Sequence, residues 1–85
     1  MATYKVLFWQ EVPSQIKVED DADDVTLPMP DRFQERIDRL AAERGLGGAD
    51  DYLAQWRWSE DEERDGTAQD VADAVRAELE AKAGF

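Results

Sequence analysis

The chain has 85 residues, enough for a single domain with one modest hydrophobic core. Twenty-one acidic residues against ten basic ones give it a net charge of −11, and it contains neither histidine nor cysteine. This composition excludes disulfides, zinc–thiolate sites and nucleophilic catalysis by histidine or cysteine, and it argues against nucleic acid or an anionic membrane surface as a partner.

The first predicted element is a strand from Thr3 to Val12, where aromatic and β-branched residues alternate imperfectly and both faces carry apolar side chains. Such a strand is either central in a sheet or at an edge whose second face meets a partner. Pro13 and Ser14 interrupt the pattern before Gln15 to Glu19 resumes it, which predicts a hairpin that turns at Pro13. After an acidic loop, Val25 to Leu27 is a short extended piece.

A helix is predicted from about Asp31 to Arg44, because Phe33, Ile37 and Leu40 recur at helical spacing. Asp31 is the expected N-cap of this helix. Gly45 is the expected terminator, since glycine readily adopts the left-handed conformation that follows many helices.

The C-terminal part of the chain contains a short helical segment, an acidic loop and a second long helix. Two assignments remain for the stretch from Gln55 to Ser59: it is either the end of the short helix or a third strand. The strand is an option because Trp56-Arg57-Trp58 alternates. The predicted boundaries are Asp50 or Asp51 for the start of the short segment, Glu60 to Gly66 for the loop, and about Ala68 to Ala83 for the last helix, with Thr67 as its N-cap.

These elements predict an α+β fold, a two-layer sandwich in which a small, mainly antiparallel sheet of about three strands carries two longer helices on one face. Residues 1–85 form a single domain in this prediction. No apolar run approaches the ~20 residues that span a membrane, and the N-terminus lacks the features of a signal peptide. We therefore expect a cytoplasmic protein.

We interpret the excess of carboxylates as an adaptation to the salt of the protein's environment and not as a catalytic or metal-binding feature. Only three of the ten basic residues are lysine, and the acids are scattered along the chain, as in a protein adapted to high internal salt, where self-repulsion is screened. A mesophile with a high-GC coding bias is the competing explanation. The acidic loop from Glu19 to Asp24 lacks the ligand spacing of an EF-hand, so no metal site is predicted, and no motif indicates a cofactor.

Two aromatic segments are the candidate contact surface, because they combine large rings with amide and guanidinium groups, as protein interfaces do. The candidate residues are Trp9, Gln10, Pro13, Gln15, Trp56, Arg57 and Trp58. The competing interpretation, and the favoured one for the tryptophans, is that they complete a small core; only exposed ones would mark a surface. The sequence thus predicts a non-enzymatic interaction or regulatory module with a protein partner or as a homodimer. The alternative is a small-molecule or cofactor-binding accessory protein for a partner enzyme.

Three separated blocks carry a family resemblance: FWQEVPSQI at 8–16, RFQERID at 32–38 and RGLGGADDYLAQW at 44–56. In this order they resemble the small prokaryotic "virulence factor" family, a domain also found at the C-terminus of a staphylococcal conserved virulence factor. The family pattern has an arginine where this chain has Gln10, which weakens any anion-binding role there. The resemblance implies no catalytic residues, because the family name describes a phenotype.

Overall fold

A computed structural model describes all of residues 1–85, as five strands and three helices. The strands are β1 (Ala2–Trp9), β2 (Val12–Glu19), β3 (Asp24–Pro28), β4 (Trp56–Trp58) and β5 (Glu62–Arg64), and the helices are α1 (Asp31–Glu43), α2 (Ala49–Leu53) and α3 (Ala68–Ala83). The predicted α+β class is confirmed, with five strands in place of about three. The stretch from Gln55 to Ser59, which the sequence left undecided between helix and strand, contains the strand β4.

The strand β1 is the centre of an antiparallel sheet. β2 pairs with one of its edges and β3 lies outside β2, while β4 and β5 share the other edge of β1. In the connection between β4 and β5, Ser59 N donates to Val6 O at 2.8 Å and Val6 N donates to Ser59 Oγ at 2.8 Å. The serine hydroxyl stands in for a backbone carbonyl, so β4 and β5 act as one interrupted edge strand. The prediction of a continuous loop from Glu60 to Gly66 is therefore wrong at β5, where the free edge of β1 overrides the low strand propensity of glutamate.

The first hairpin turns earlier than the sequence indicates. Trp9 pairs with Val12, so Gln10 and Glu11 form a two-residue turn and Pro13 lies inside β2. The pairing of β1 with β2 shifts register next to the proline. Proline is tolerated beside such a bulge because the hydrogen-bond ladder is already interrupted there. The predicted position of the turn, at Pro13, is wrong.

The hydrophobic core lies between one face of the sheet and the two long helices. α3 contacts β1, β2 and β3, and α1 contacts β2 beside it. The largest fully buried side chains are Trp9, Ile16, Val18, Phe33, Ile37 and Val71. Each aliphatic or phenyl side chain of this set stabilises the fold by about 1.5–3 kcal/mol through burial. The predicted apolar stripes of both helices and their position on one face of the sheet are confirmed.

The helix α1 begins and ends by backbone geometry. Pro30 is its N-cap and no side chain caps it, so the predicted cap, Asp31, is instead the first helical residue. Proline is suited to this place because its fixed φ leads into the helix. At the other end Gly45 has φ +70°, and Leu46 N donates to Ala41 O at 2.7 Å. This is the Schellman arrangement that glycine favours, as predicted.

The start of α3 is fixed by two side chains. Thr67 caps the helix by accepting from the backbone N–H three residues on, as predicted. Asp20 Oδ2 accepts from Ala68 N at 2.7 Å, and Asp20 Oδ1 accepts from Asp23 N and Ala22 N, each at 2.7 Å. These three N–H donors, Ala68 foremost, lower the pKa of Asp20. The carboxylate of the acidic loop thus joins the β2–β3 connection to α3.

Measured against the length and hydropathy of a membrane span, none of the three helices meets both requirements.

Candidate functional site

The seven candidate residues do not form one surface, because the sheet distributes them over three places. Trp9, Pro13 and Trp56 lie in or against the core; Gln10 and Arg57 lie at the tip of the first hairpin; Gln15 and Trp58 lie on the face of the sheet opposite the helices. In the last pair Trp58 is exposed and Gln15 is half-buried, and Lys5 of β1 lies against the Trp58 ring. Each group has a different physical role.

The first group is an aromatic cluster closed by α2. Trp9 has no exposed surface, its Nε1 donates to Tyr52 O at 3.0 Å, and the two ring centroids are 5.6 Å apart. Trp56 is half-buried and meets the same tyrosine edge-on at 5.9 Å. Pro13 is buried as well. Trp9 and Pro13 therefore have no surface to offer a partner, and their assignment to the contact surface is corrected: Tyr52 covers the end of the sheet.

The second group is the hairpin tip, where Gln10 adopts a left-handed conformation with φ +52°. Two-residue hairpin turns favour positive φ, but outside glycine it costs about 1 kcal/mol. Every polar group of Gln10 has a partner: its N donates to Gln55 O at 3.2 Å, its Nε2 donates to Gln55 Oε1 at 3.0 Å, and its O accepts from Arg57 Nη2 at 3.2 Å. Arg44 Nη1 donates to its Oε1.

The same tip is tied to the C-terminus of α1 by an ion pair. Arg44 meets Glu11 with both arms, Nη2 to Oε1 at 2.6 Å and Nη1 to Oε2 at 3.0 Å. These hydrogen bonds are the main reason that the pKa of Glu11 lies below its usual value. The hydrogen bonds of the tip thus hold α1, the hairpin and β4 together. Since the turn's donors already have partners within the chain, they do not form an anion-binding site.

The third group lies on the open face, which we define as the sheet surface opposite the helices: Thr3, Lys5 and Leu7 of β1, Gln15, Lys17 and Glu19 of β2, and Trp58 of β4. Leu7 pairs with Gln15 on one side and with Trp58 on the other, so the three side chains form a row across the sheet. Trp58 is 42% exposed. An antiparallel sheet ordinarily turns polar residues to solvent on such a face, so the fold itself does not require a tryptophan there.

The next row of the open face carries two lysines. Lys5 pairs directly with Lys17 across β1 and β2, and Lys5 Nζ lies 4.6 Å from the centroid of the Trp58 ring. Neither lysine forms a salt bridge, since all four in the structure involve arginine. Sequence reasoning missed Lys5, Lys17 and Leu7. Their places in the alternation are visible in the sequence, but the register that brings them together is not.

The acidic residues do not assemble into a metal centre: no group of three or more is arranged to hold an ion. The fold and its surfaces define a small α+β domain that presents an exposed tryptophan beside a lysine pair. The chain belongs to the virulence factor family, whose model matches residues 7–83 and so confirms the resemblance of the three sequence blocks. No curated protein and no solved structure matches it.

Proposed function

We propose that this protein is a non-enzymatic interaction or regulatory module that binds a protein partner through the row of Trp58, Leu7 and Gln15 on its open face. The observation that carries the proposal is the exposure of Trp58 on the face of the sheet opposite α3, next to the end that Tyr52 covers. Tryptophan is enriched among the residues that dominate binding energy, and an amide in the same row supplies directional hydrogen bonds. Gln15 lies in that row, separated from Trp58 by Leu7.

The exposed part of Trp58 is large enough to matter energetically. At 42% exposure the side chain leaves roughly 100 Å² of a ~250 Å² residue in contact with water. Burying that area in an interface would contribute about 2.5 kcal/mol, or between one and two orders of magnitude in the dissociation constant. The contact of Lys5 with the Trp58 ring does not rule out a partner there, since the ammonium group can itself bind a polar group of that partner.

Quantitative affinity capture from an extract of the native host, at native salt, tests the proposal. The wild-type chain is compared with Trp58→Ala and with the matched control Leu53→Ala, which removes a 64% exposed leucine from α2. We expect Trp58→Ala to lower the recovery of a specific partner at least about tenfold, from the area above, and Leu53→Ala to leave it unchanged. Equal recovery by all three proteins would remove Trp58 from the contact.

A protein partner and a homodimer are separated by sedimentation of the purified chain. A monomer at all accessible concentrations, combined with Trp58-dependent capture of a different protein, supports a heterologous partner. A dimer that Trp58→Ala dissociates makes the open face a self-association surface instead.

The second candidate function, a small-molecule accessory protein, is favoured by one cavity of about 190 Å³ between β1, the β4–β5 connection and α3. Its lining residues are Tyr4, Val6, Phe8, Ser59, Glu62, Val75, Glu78, Leu79 and Lys82. The volume is below the 300–1,000 Å³ typical of ligand sites, so it suits only a small compound. None of the residues that line this cavity belongs to the hairpin tip. A fragment screen followed by NMR tests it: shifts confined to these residues support this role, and none would dismiss it.

A further inference from the structure

We propose that the Lys5–Lys17 pair selects the partner of the open face, and that this partner is a segment of another protein that presents carboxylate side chains next to an apolar one. This inference rests on the proposed function and names the chemistry of its occupant. The apolar side chain lies on Trp58 and Leu7, and the carboxylates meet the two lysines in the neighbouring row.

The lysine pair is an unusual use of scarce positive charge. The chain carries 21 acidic residues and only three lysines, yet two of the three face each other directly across β1 and β2. Like charges in directly opposed cross-strand positions destabilise a sheet. Glu19 and Asp61 line the same shallow cavity as the lysines, but neither comes within salt-bridge distance of them. The charges of the two ammonium groups are therefore not matched by a direct ion pair within the chain.

The placement of the pair fits an extended or sheet-like partner. Leu7 lies two residues from Lys5 on the same face of β1, a separation of about 7 Å along the strand. Trp58 and Lys5 are already in contact, so the apolar and basic halves of the surface are continuous. Both lysines line a cavity of about 90 Å³, together with Thr3, Tyr4, Glu19 and Asp61. This volume is enough for a carboxylate group, since a water molecule occupies about 30 Å³.

Charge also decides between a different protein and a second copy. Each copy carries −11, so self-association adds repulsion over the whole surface. Suppose that the open faces of two copies pack together around a two-fold axis parallel to the strands. Each row would then face the same row of the other copy, so the two lysine pairs would lie against one another. A heterologous segment needs only a local match to the two lysines and the tryptophan.

Carbodiimide coupling tests the occupant directly, because this zero-length reagent forms an amide only between an amine and a carboxylate in contact. The wild-type chain is treated with it in an extract of the native host at native salt, and the coupled peptides are identified by mass spectrometry. We expect Lys5 or Lys17 to be joined to aspartate or glutamate of another protein, and Lys82 on α3 not to be. Coupling only to Glu19 or Asp61 of the same chain, or to a second copy, overturns the proposal.

Two variants supply the quantitative arm, in the capture experiment that uses Trp58→Ala. The double change Lys5→Gln and Lys17→Gln should lower partner recovery about twofold to thirtyfold, as expected for two charge pairs, while Lys5→Arg with Lys17→Arg retains it. Lys82→Gln is the matched control. The glutamine double should melt no lower than wild type, because it removes like-charge repulsion, and the arginine double, which keeps both charges, should melt close to wild type. If Trp58→Ala abolishes recovery but the glutamine double does not, the proposed function stands and the carboxylate partner is wrong; if neither change matters, both fail.

Discussion

The contrast between Trp9 and Trp58 gives the sharpest prediction, because the two tryptophans lie two rows apart on the same pair of strands and have opposite exposure. Trp9→Phe removes the indole N–H that donates to Tyr52 O at 3.0 Å and part of a ring that is fully buried. Leaving a part-buried carbonyl without its donor costs about 1–3 kcal/mol, and the space left by the smaller ring adds about 1 kcal/mol. We therefore expect a loss of about 2–4 kcal/mol.

For a domain of this length each kcal/mol corresponds to about 4–8 °C in the melting temperature. Trp9→Phe should thus lower the melting temperature by at least about 8 °C, measured by far-ultraviolet circular dichroism at fixed salt, with urea unfolding giving the free energy. Trp58→Phe is the matched control and should change the free energy of unfolding by less than about 0.5 kcal/mol, as surface substitutions do. Equal losses in the two variants would refute the assignment of Trp9 to the core and Trp58 to the surface.

Three further predictions follow from the site and the loops. Because hydrogen bonds from backbone N–H groups lower the pKa of Asp20 in the folded state, its ionised form contributes stability that is present above the unfolded pKa near 3.9 and is lost as the pH falls through the lower folded pKa. The gap in urea midpoint between wild type and Asp20→Asn should therefore be widest above about pH 5 and narrow towards pH 2; a constant gap would contradict this. Gln10→Gly should be more stable than Gln10→Ala by about 1 kcal/mol in urea unfolding, because both lose the side-chain hydrogen bonds and only glycine relieves the positive φ; the reverse order would place the turn elsewhere. If the chain is adapted to high salt, its melting temperature should rise markedly between ~0.1 and ~2 M KCl as repulsion is screened, and a flat profile would favour the high-GC mesophile.

The sequence predicted what depends on near neighbours. Both long helices follow from apolar spacing within a few turns, and Thr67 and Gly45 act as cap and terminator because their signals are local. The α+β class follows in the same way from alternation, whereas residues 55–59 stayed open between helix and strand until the structure showed β4. These features need no knowledge of which strand pairs with which.

The rest depends on contacts that are distant in the sequence. Trp9 is buried because Tyr52, 43 residues away, closes over it, and a strand pattern cannot reveal that cover. β5 exists because the free edge of β1 accepts an acidic segment that has little strand propensity of its own. The lysine pair needs the register of β1 against β2, which the misplaced hairpin turn would have shifted.

A photo-crosslinking amino acid placed at position 58 and expressed in the native host tests the contact surface most directly. The same amino acid at position 53 on α2, where the native leucine is 64% exposed against 42% for Trp58, serves as the reference. We expect irradiation to yield one discrete adduct from position 58 that is absent from position 53. No adduct at position 58, or the same adducts from both positions, would contradict the assignment of the open face as the surface through which this protein acts.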